Sequence, residues 1–402
     1  MKCSVIGLGY IGLPTAALLA SKGHKVIGVD INKEVISTIS DGKIHIIEKG
    51  LEKLVFETIK DGSFKAKSNP ETSDVFLIAV PTPIKNNGEE IPMPNISYVL
   101  AAVESICNVI KKGDLVLIES TSPVGITEKV AEIIKNLTGL DKDAVNIAYC
   151  PERVIPGATL KELVQNDRVV GGLTIKATQK ASSFYSSFCQ GKILETNSRT
   201  AELVKLTENA FRDVNLAFAN EISMVCDQLD VEVSNLVKLA NHHPRVNILN
   251  PGCGVGGHCI AVDPLFIAHS LPKSTELIQK ARKINTKKTQ WVIEKVVEIA
   301  NKMKLDLGYD PKIACLGLTY KPNVDDLRES PALFITKELI KLNFNILPCD
   351  PNVKKVENLV LYSLEKVIKE SDFLVFLTAH KEFLNINCLN YKYFDACGIT
   401  SF

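Results

Sequence analysis

The sequence predicts an α/β fold of two doubly wound, parallel-sheet domains joined by a long central helical region. Three observations carry that prediction. Short apolar runs alternate with helical patterns through the first third of the chain, the same alternation returns near the C-terminal end, and between them Ser198–Leu239 contains no proline or glycine. Such alternation marks a parallel sheet, because each strand has to be returned to the same end of the sheet by a crossover, usually a helix. The expected division is 1–197, 198–300 and 301–402.

Taken in order, Lys2–Ile6, Lys25–Val29, Val75–Val80, Leu115–Glu119 and Val145–Tyr149 are strands of the first sheet, each ending at a polar or turn segment. From Ser198 onward Leu203, Leu206, Ala210, Val214 and Ala217 recur near helical spacing, giving one or two long helices that bridge the domains. Asn241–Pro264 is rich in Gly, Pro, His and Asn and has no periodicity. It is too long for a neutral connector, so it reads as a binding loop. Lys312–Leu318, Asn345–Cys349 and Phe373–Thr378 are the strands of a second, smaller sheet.

Composition narrows the function. The 402 residues carry 47 Lys plus Arg against 46 Asp plus Glu, a net charge of +1 that gives no overall attraction to nucleic acid or acidic membranes. Eleven scattered cysteines with no Cys-x-x-Cys pair suit neither a disulfide framework nor a zinc site. A reducing cytoplasm is expected, with ten of the thiols acting as small core residues. Cys3–Ser21 is uncharged, but Gly7, Gly9, Gly12 and Pro14 interrupt it and it reads as strand, turn and helix rather than a leader. No other run reaches the ~20 residues of a membrane span.

Gly7, Gly9 and Gly12, with Tyr10 and Ile11 between, form GLGYIG directly after the first strand, and Asp30 closes the second strand 18 residues beyond Gly12. This is the fingerprint of a Rossmann-like dinucleotide site: a tight turn, close approach of backbone to a pyrophosphate, and close helix packing. Asp30 would accept from the adenosine ribose hydroxyls and repel a 2′-phosphate, which favours NAD over NADP. The alternative is an ordinary strand-turn-helix with a capping acid. Pro81 and Thr82 after one strand, and Thr121 after another, lie at carboxyl ends of strands, where ligands of open α/β sheets bind.

A thiol and a carboxylate share the loop PGCGVGGHCIAVDP, where Cys259 and Asp263 are four residues apart. Its glycines, Gly256 and Gly257 among them, would let backbone amides approach a ligand. Cys253 is the local competitor for the nucleophile. Lys205 and Asn209 are spaced i, i+4 on one helix face, able to present an ammonium and an amide to a developing oxyanion or simply to solvent. Glu152 and Arg153 follow a strand end, where Glu152 is either a base or a cap partner.

These residues resemble the nucleotide-sugar 6-dehydrogenases. The resemblance runs through GLGYIGL, STSPVG around Thr121, CPERVIPG at 150–157, ELVKLTENAFR at 202–212, GVGGHCIAVDP at 254–264 and YKPNVDDLRESPA at 320–332, in the family's order. It implies oxidation of a sugar C6 alcohol to a carboxylate with two NAD and water, without release of the aldehyde. Cys259 then matches the nucleophile, Lys205 and Asn209 the oxyanion-stabilising groups, Asp263 and Thr121 the residues that position or activate water, and Glu152 a carboxylate in proton handling or thioester hydrolysis.

For the ligands, the resemblance implies that Lys321, beside Tyr320, contacts the sugar nucleotide and Arg328 the NAD pyrophosphate. Arg245 would reach a neighbouring subunit's site, making the protein at least a dimer. Arg153, at a position where the UDP-glucose members carry Phe, and the segment with His242, Arg245 and Asn247 point to UDP-N-acetyl-D-mannosamine as substrate. His258 is expected to be structural. The tail departs from the family, with Asp395 followed by Ala396, Cys397 and Gly398. Alternatives are the same chemistry on UDP-N-acetylglucosamine or UDP-glucose, a two-electron 3-hydroxyacid dehydrogenase, or a non-enzymatic NAD-binding scaffold.

Overall fold

The computed structural model describes residues 1–85, 88, 91–155, 157–388 and 391–399. Two compact units result, Met1–Glu208 and Asn209–Phe402, with the boundary inside one long helix.

The first unit is built on β1 (Lys2–Ile6), α1 (Gly12–Ser21), β2 (Lys25–Val29), α2 (Lys33–Ser40), α3 (Leu51–Lys60), β3 (Phe64–Lys67) and β4 (Val75–Ile78). The chain continues through a short β5 (Ile84–Lys85) and β6 (Met93–Pro94) hairpin, α4 (Ser97–Ile106), β7 (Leu115–Ile118), α5 (Ile126–Thr138), β8 (Asn146–Tyr149), α6 (Thr159–Gln165), β9 (Arg168–Gly172), α7 (Ile175–Ser186) and β10 (Ile193–Asn197). Eight strands pair in the order β10-β9-β8-β7-β4-β1-β2-β3, parallel except for β8 against β9. All five expected strands are present, each within two residues of its expected end, while β3, β9 and β10 escaped sequence reading.

Both faces of this sheet are covered, which period-2 alternation achieves. Val75, Leu77, Leu115 and Leu117 join one apolar cluster, and Phe76, Ile78, Val116 and Ile118 join the other. A strand buried on both sides has no polar alternate, so it appears as an unbroken apolar run.

The helix α8 (Ser198–Gln228) carries the chain into the second unit, followed by α9 (Val233–Ala240), α10 (Asp263–Ser270) and a second long helix, α11 (Glu276–Leu307). Then come β11 (Lys312–Leu316), α12 (Pro331–Lys341), β12 (Asn345–Cys349), α13 (Leu364–Glu370), β13 (Phe373–Phe376) and β14 (Lys392–Asp395). These strands form a parallel sheet ordered β12-β11-β13-β14. Ile313 and Cys315 pack with Val292 of α11 and Ile335 of α12, whereas Ala314 and Leu316 pack with Val367 of α13 on the opposite face. Among the described residues no helix is long and apolar enough to cross a membrane.

Candidate functional site

In the first unit the fingerprint folds as its residues require. Gly7 has φ +92°, and a Cβ there would lie 2.6 Å from the Ala79 carbonyl oxygen; one at Gly12 would lie 1.8 Å from that of Gly7. Gly9 faces open space. α1 begins without a side-chain cap and without acid in its first turn, which leaves its N–H groups and the positive end of its dipole to an anion. Asp30 takes the Leu8 N–H (3.0 Å) and the Asn32 N–H (2.9 Å), fixing its carboxylate beside the turn. The cradle fits a dinucleotide. Ile31, 90% exposed beside Asp30, is an apolar surface that sequence reading passed over.

The loops after β4 and β7 are joined. The Ser120 hydroxyl accepts from Val80 N–H (2.9 Å) and donates to Val80 O (2.8 Å), so Pro81, Thr82 and Thr121 hang from two strand ends fastened together. A few residues after Thr121, Gly125 N–H (2.7 Å), Thr127 N–H (2.9 Å) and the Thr127 hydroxyl (2.5 Å) donate to the wholly buried Glu202. Burial raises its carboxyl above the usual range while these donors hold it down. Glu202 was not singled out from the sequence. Its sign there is that it lies in the same motif as Lys205.

Glu152 follows β8 with its side chain 9% exposed, 3.5 Å from the Arg168 guanidinium. Arg168 is buried over the Tyr185 ring (4.7 Å) and shares its charge with Glu119 on the neighbouring strand end. Arg153 is engaged by Glu208 through Nε (3.1 Å) and Nη2 (2.7 Å). Of the run CPERVIPG, Pro156 lies outside the described residues. Lys205 stands half-buried on the α8 segment of this unit.

In the second unit Cys259 is exposed. Its carbonyl accepts from the N–H groups of Val262 (3.1 Å) and Asp263 (2.8 Å), a turn that delivers Asp263 to the start of α10. Asp263 is buried and accepts from Asn209 Nδ2 at 2.5 Å. Carboxylate and amide are therefore paired, one backbone turn from the cysteine. Cys253 is buried, its thiol pushed up to about 12 by burial and donating to Leu377 O, so it is no nucleophile. Of the other ten thiols seven are buried, while Cys107, Cys388 and Cys397 are half-buried rather than core.

A buried polar chain grips this loop at both ends. Asp213 on α8 accepts from Arg282 Nε (2.7 Å) and Asn285 Nδ2 (2.8 Å) of α11, and Asn285 Oδ1 accepts from Asn220 (2.9 Å). Asn220 Oδ1 then takes the Gly252 N–H (2.9 Å), Thr289 donates to Cys253 O (2.9 Å), and Arg282 Nη1 donates to Ala261 O (3.2 Å).

The loop glycines serve a different purpose from the one expected. A Cβ on Gly254 would lie 2.2 Å from the Thr289 hydroxyl, on Gly256 2.2 Å from Glu329 O, and on Gly257 2.8 Å from the Tyr320 ring. Gly256 and Gly257 thus let the loop lie against residues 320–331, with Gly257 N–H on Arg328 O (3.2 Å). Within 320–331, Lys321 stands near the Tyr320 ring and Arg328 is bound by Asp326 through Nε (2.8 Å) and Nη2 (2.6 Å). His242, Arg245 and Asn247 are exposed in a loop closed by Asn241, which bonds Ile248 through both its amide atoms (2.7 and 3.0 Å).

Comparison with known proteins decides the family. Models of the UDP-glucose/GDP-mannose dehydrogenase family match at its NAD-binding domain (residues 1–189), central domain (199–287) and UDP-binding domain (314–396). The chain belongs to this family. It is 50% identical to the UDP-N-acetyl-D-mannosamine dehydrogenase of Campylobacter jejuni, over 96% of this chain and 97% of that one. It is 46% identical to the NDP-N-acetyl-D-galactosaminuronic acid dehydrogenase of Ralstonia nicotianae (strain ATCC BAA-1114 / GMI1000), over 96% and 92%. Among solved structures, the UDP-D-ManNAc dehydrogenase of Pyrococcus horikoshii superposes with a TM-score of 0.91 at 40% identity, covering 99% of this chain and 96% of that one.

Proposed function

We propose that this chain oxidises C6 of UDP-N-acetyl-D-mannosamine from alcohol to carboxylate through a covalent adduct on Cys259. The observation that carries the mechanism is the exposed Cys259 one turn from Asp263, whose buried carboxylate is held by the half-buried Asn209, on a loop clamped at both ends. The relatives' activities support the substrate. NAD, when bound at Gly7–Gly12 and Asp30, accepts a hydride at each of two stages.

The protein's own groups do the rest. Lys205 and Asn209 stabilise the oxyanion that forms when the alcohol loses its proton and again when the thiolate adds to the aldehyde. Cys259 bonds the aldehyde carbon as a thiohemiacetal; loss of the second hydride leaves a thioester; water adds, the C–S bond breaks, and the acid departs with the thiol regenerated. Asp263, Thr121 and Glu152 orient water and take up its proton. Arg153, His242, Asn247, Tyr320 and Lys321 hold the nucleotide sugar, and Arg328 the NAD pyrophosphate. We read 1–197 as the NAD domain, 198–300 as the bridge and 301–402 as the UDP domain.

The oligomer is at least a dimer, with Arg245 serving the neighbouring copy. Support comes from α8 and the residue that follows it, where Phe211, Phe218, Val225 and Leu229 are 70, 50, 43 and 68% exposed at spacings of seven and four residues. A helical stripe of that size needs a cover, and a second copy supplies the same stripe. We place the enzyme in the cytoplasm, consistent with eleven cysteines and no disulfide among them.

The test is a panel of UDP-sugars with NAD, counting NADH per sugar consumed. Two per sugar, fastest with the mannosamine derivative, is the expected result; one per sugar with aldehyde released would overturn the thiol tether. Cys259→Ala should form no uronate, and normal turnover in that variant would reject the mechanism.

A further inference from the structure

The second domain repeats the turn of the first and then departs from it. Gly317-Leu318 follows β11 as Gly7-Leu8 follows β1. Both glycines are left-handed, at φ +89° and +92°, and a Cβ on Gly317 would lie 2.8 Å from the Thr378 carbonyl oxygen. Asp350 ends β12 as Asp30 ends β2, taking the Leu318 N–H (2.7 Å) and the Asn352 N–H (2.9 Å) as Asp30 takes those of Leu8 and Asn32.

Two features differ. Where Gly9 faces open space, Thr319 is a wholly buried side chain. Where α1 starts at Gly12, α12 waits until Pro331, although the Ser330 hydroxyl donates to Leu318 O at 2.7 Å and so brings the chain back to the place it left. Residues 319–329 are therefore an insertion at the turn, and they carry Tyr320, Lys321 and Arg328.

The root of the insertion closes on His380, which is wholly buried. Its Nδ1 faces the Asn323 backbone N–H at 3.0 Å and the Asn352 side-chain amide at 2.9 Å. A backbone N–H can only donate, so Nδ1 is an acceptor and the ring proton sits on Nε2. Nε2 faces Asp350 Oδ2 at 3.1 Å and Thr319 Oγ1 at 3.2 Å. The Thr319 hydroxyl donates to Lys321 O (3.0 Å), Thr378 donates to Thr319 O (2.7 Å), and Lys381 N–H donates to Asn323 Oδ1 (3.1 Å). Asp350 Oδ2 accepts from the Leu318 N–H, the Thr319 N–H (3.2 Å) and His380 Nε2, which leaves it no capacity for a ribose, whereas Asp30 Oδ2 takes the Leu8 N–H.

We infer that His380 is a positioning residue for the uridine diphosphate of the substrate: through Nδ1 and Asn323 it holds the 319–329 insertion in the form that presents Tyr320 and Lys321. The inference rests on the reading that brings a UDP-sugar to this domain. It makes the repeated acidic residue a structural anchor in the second domain and a ligand group only in the first.

Two near-isosteres separate the two ring nitrogens. Asn places its amide oxygen where Nδ1 lies and keeps the acceptor for Asn323; Gln places its amide nitrogen where Nε2 lies and keeps only the donor to Asp350. UDP is titrated calorimetrically into the full-length wild type, His380→Asn and His380→Gln, and the fold of each is checked by circular dichroism. The expected result is UDP affinity within about threefold of wild type for Asn and at least about tenfold weaker for Gln, the scale of one buried hydrogen bond, with the circular dichroism spectrum the same in all three.

Equal UDP affinity in both variants overturns the inference. Wild type that binds no UDP overturns the underlying reading and the inference with it; wild type that binds while the variants stay level overturns the inference alone. Should the Gln variant not fold, Thr378→Val removes the bond to Thr319 O from the other side of the root. It should weaken UDP about fivefold, and unchanged affinity refutes the role of the root.

Discussion

Glu119→Gln should make the protein more stable than wild type at pH 8 by a margin that shrinks as the pH falls. Glu119 follows β7 and is 3% exposed, with Oε1 accepting from the Tyr185 hydroxyl at 2.8 Å. Burial lifts its carboxyl from 4.5 to about 7, the Arg168 guanidinium opposing this and Glu152 adding to it. A carboxyl raised in the folded state favours folding fully below pH 4.5, and that contribution drains away as pH rises through about 7. The total corresponds to about 3 kcal/mol. Roughly 1 kcal/mol is already gone at pH 5, because the unfolded chain's carboxyl titrates near 4.5, leaving about 2 kcal/mol between pH 5 and pH 8.

Glutamine keeps the acceptor for Tyr185 and does not titrate, so any constant effect of the substitution on Arg168 cancels in the difference between the two pH values. Urea unfolding followed by circular dichroism, variant against wild type, reads it directly. A margin that does not change with pH would mean that burial does not hold this carboxyl neutral. A margin that shrinks as pH rises would mean that Arg168 stabilises the ionised form more than burial opposes it.

Lys205→Met should lower kcat roughly 100- to 1000-fold with little change in substrate affinity, the scale of one lost oxyanion donor; a loss confined to KM would assign the ammonium to binding. Asn285→Leu leaves Asp213 and Asn220 each short of a buried partner, and should destabilise the second domain by about 2–4 kcal/mol. The fluorescence of Trp291, the single tryptophan of the chain, reports that unfolding. The same variant should alter the rate at which iodoacetamide alkylates Cys259, and an unchanged rate in folded protein would show that the polar chain stabilises the loop without setting the thiol.

Strand positions were legible where a strand is apolar on both faces, as in VFLI and LVLI of β4 and β7. They were hidden where a strand lies toward an edge of the sheet or is interrupted. β3 reads FKAK, and β10 reads ILETN with most of its residues exposed or half-buried. β9 contains Gly171 because a Cβ there would lie 2.2 Å from Asn197 O, a reason that exists only after β10 has paired. The same limit governs the site. Cys259, Asp263 and Asn209 stand in compact motifs, but Asp213, Asn220, Arg282 and Asn285 meet across more than sixty residues of chain, and each looks like an ordinary polar residue on an amphipathic helix. The loop glycines were visible, yet what they approach is the chain's own residues 320–331.

Two of the expected ligand-binding arginines are already paired, and the energetics of those pairs bear on how they would serve. Arg153 is held by Glu208 with side-chain exposures of 33 and 35%, and Arg328 by Asp326 with 46 and 20%. Partly exposed pairs of this kind are worth about 0–1 kcal/mol, so exchanging the carboxylate for an anionic ligand costs little, and the two-point geometry keeps the flat guanidinium from sweeping through solvent. The ordering entropy of a long side chain, up to about 2 kcal/mol, is thereby largely met before the ligand arrives. Arg168 is the opposite case. Its side chain is 5% exposed and faces Glu152 at 9%, so removing its charge would leave a buried carboxylate uncompensated, a loss of about 3–5 kcal/mol. Partner exchange is cheap at Arg153 and Arg328 and prohibitive at Arg168, which suits the first two to ligands and confines the third to holding Glu152.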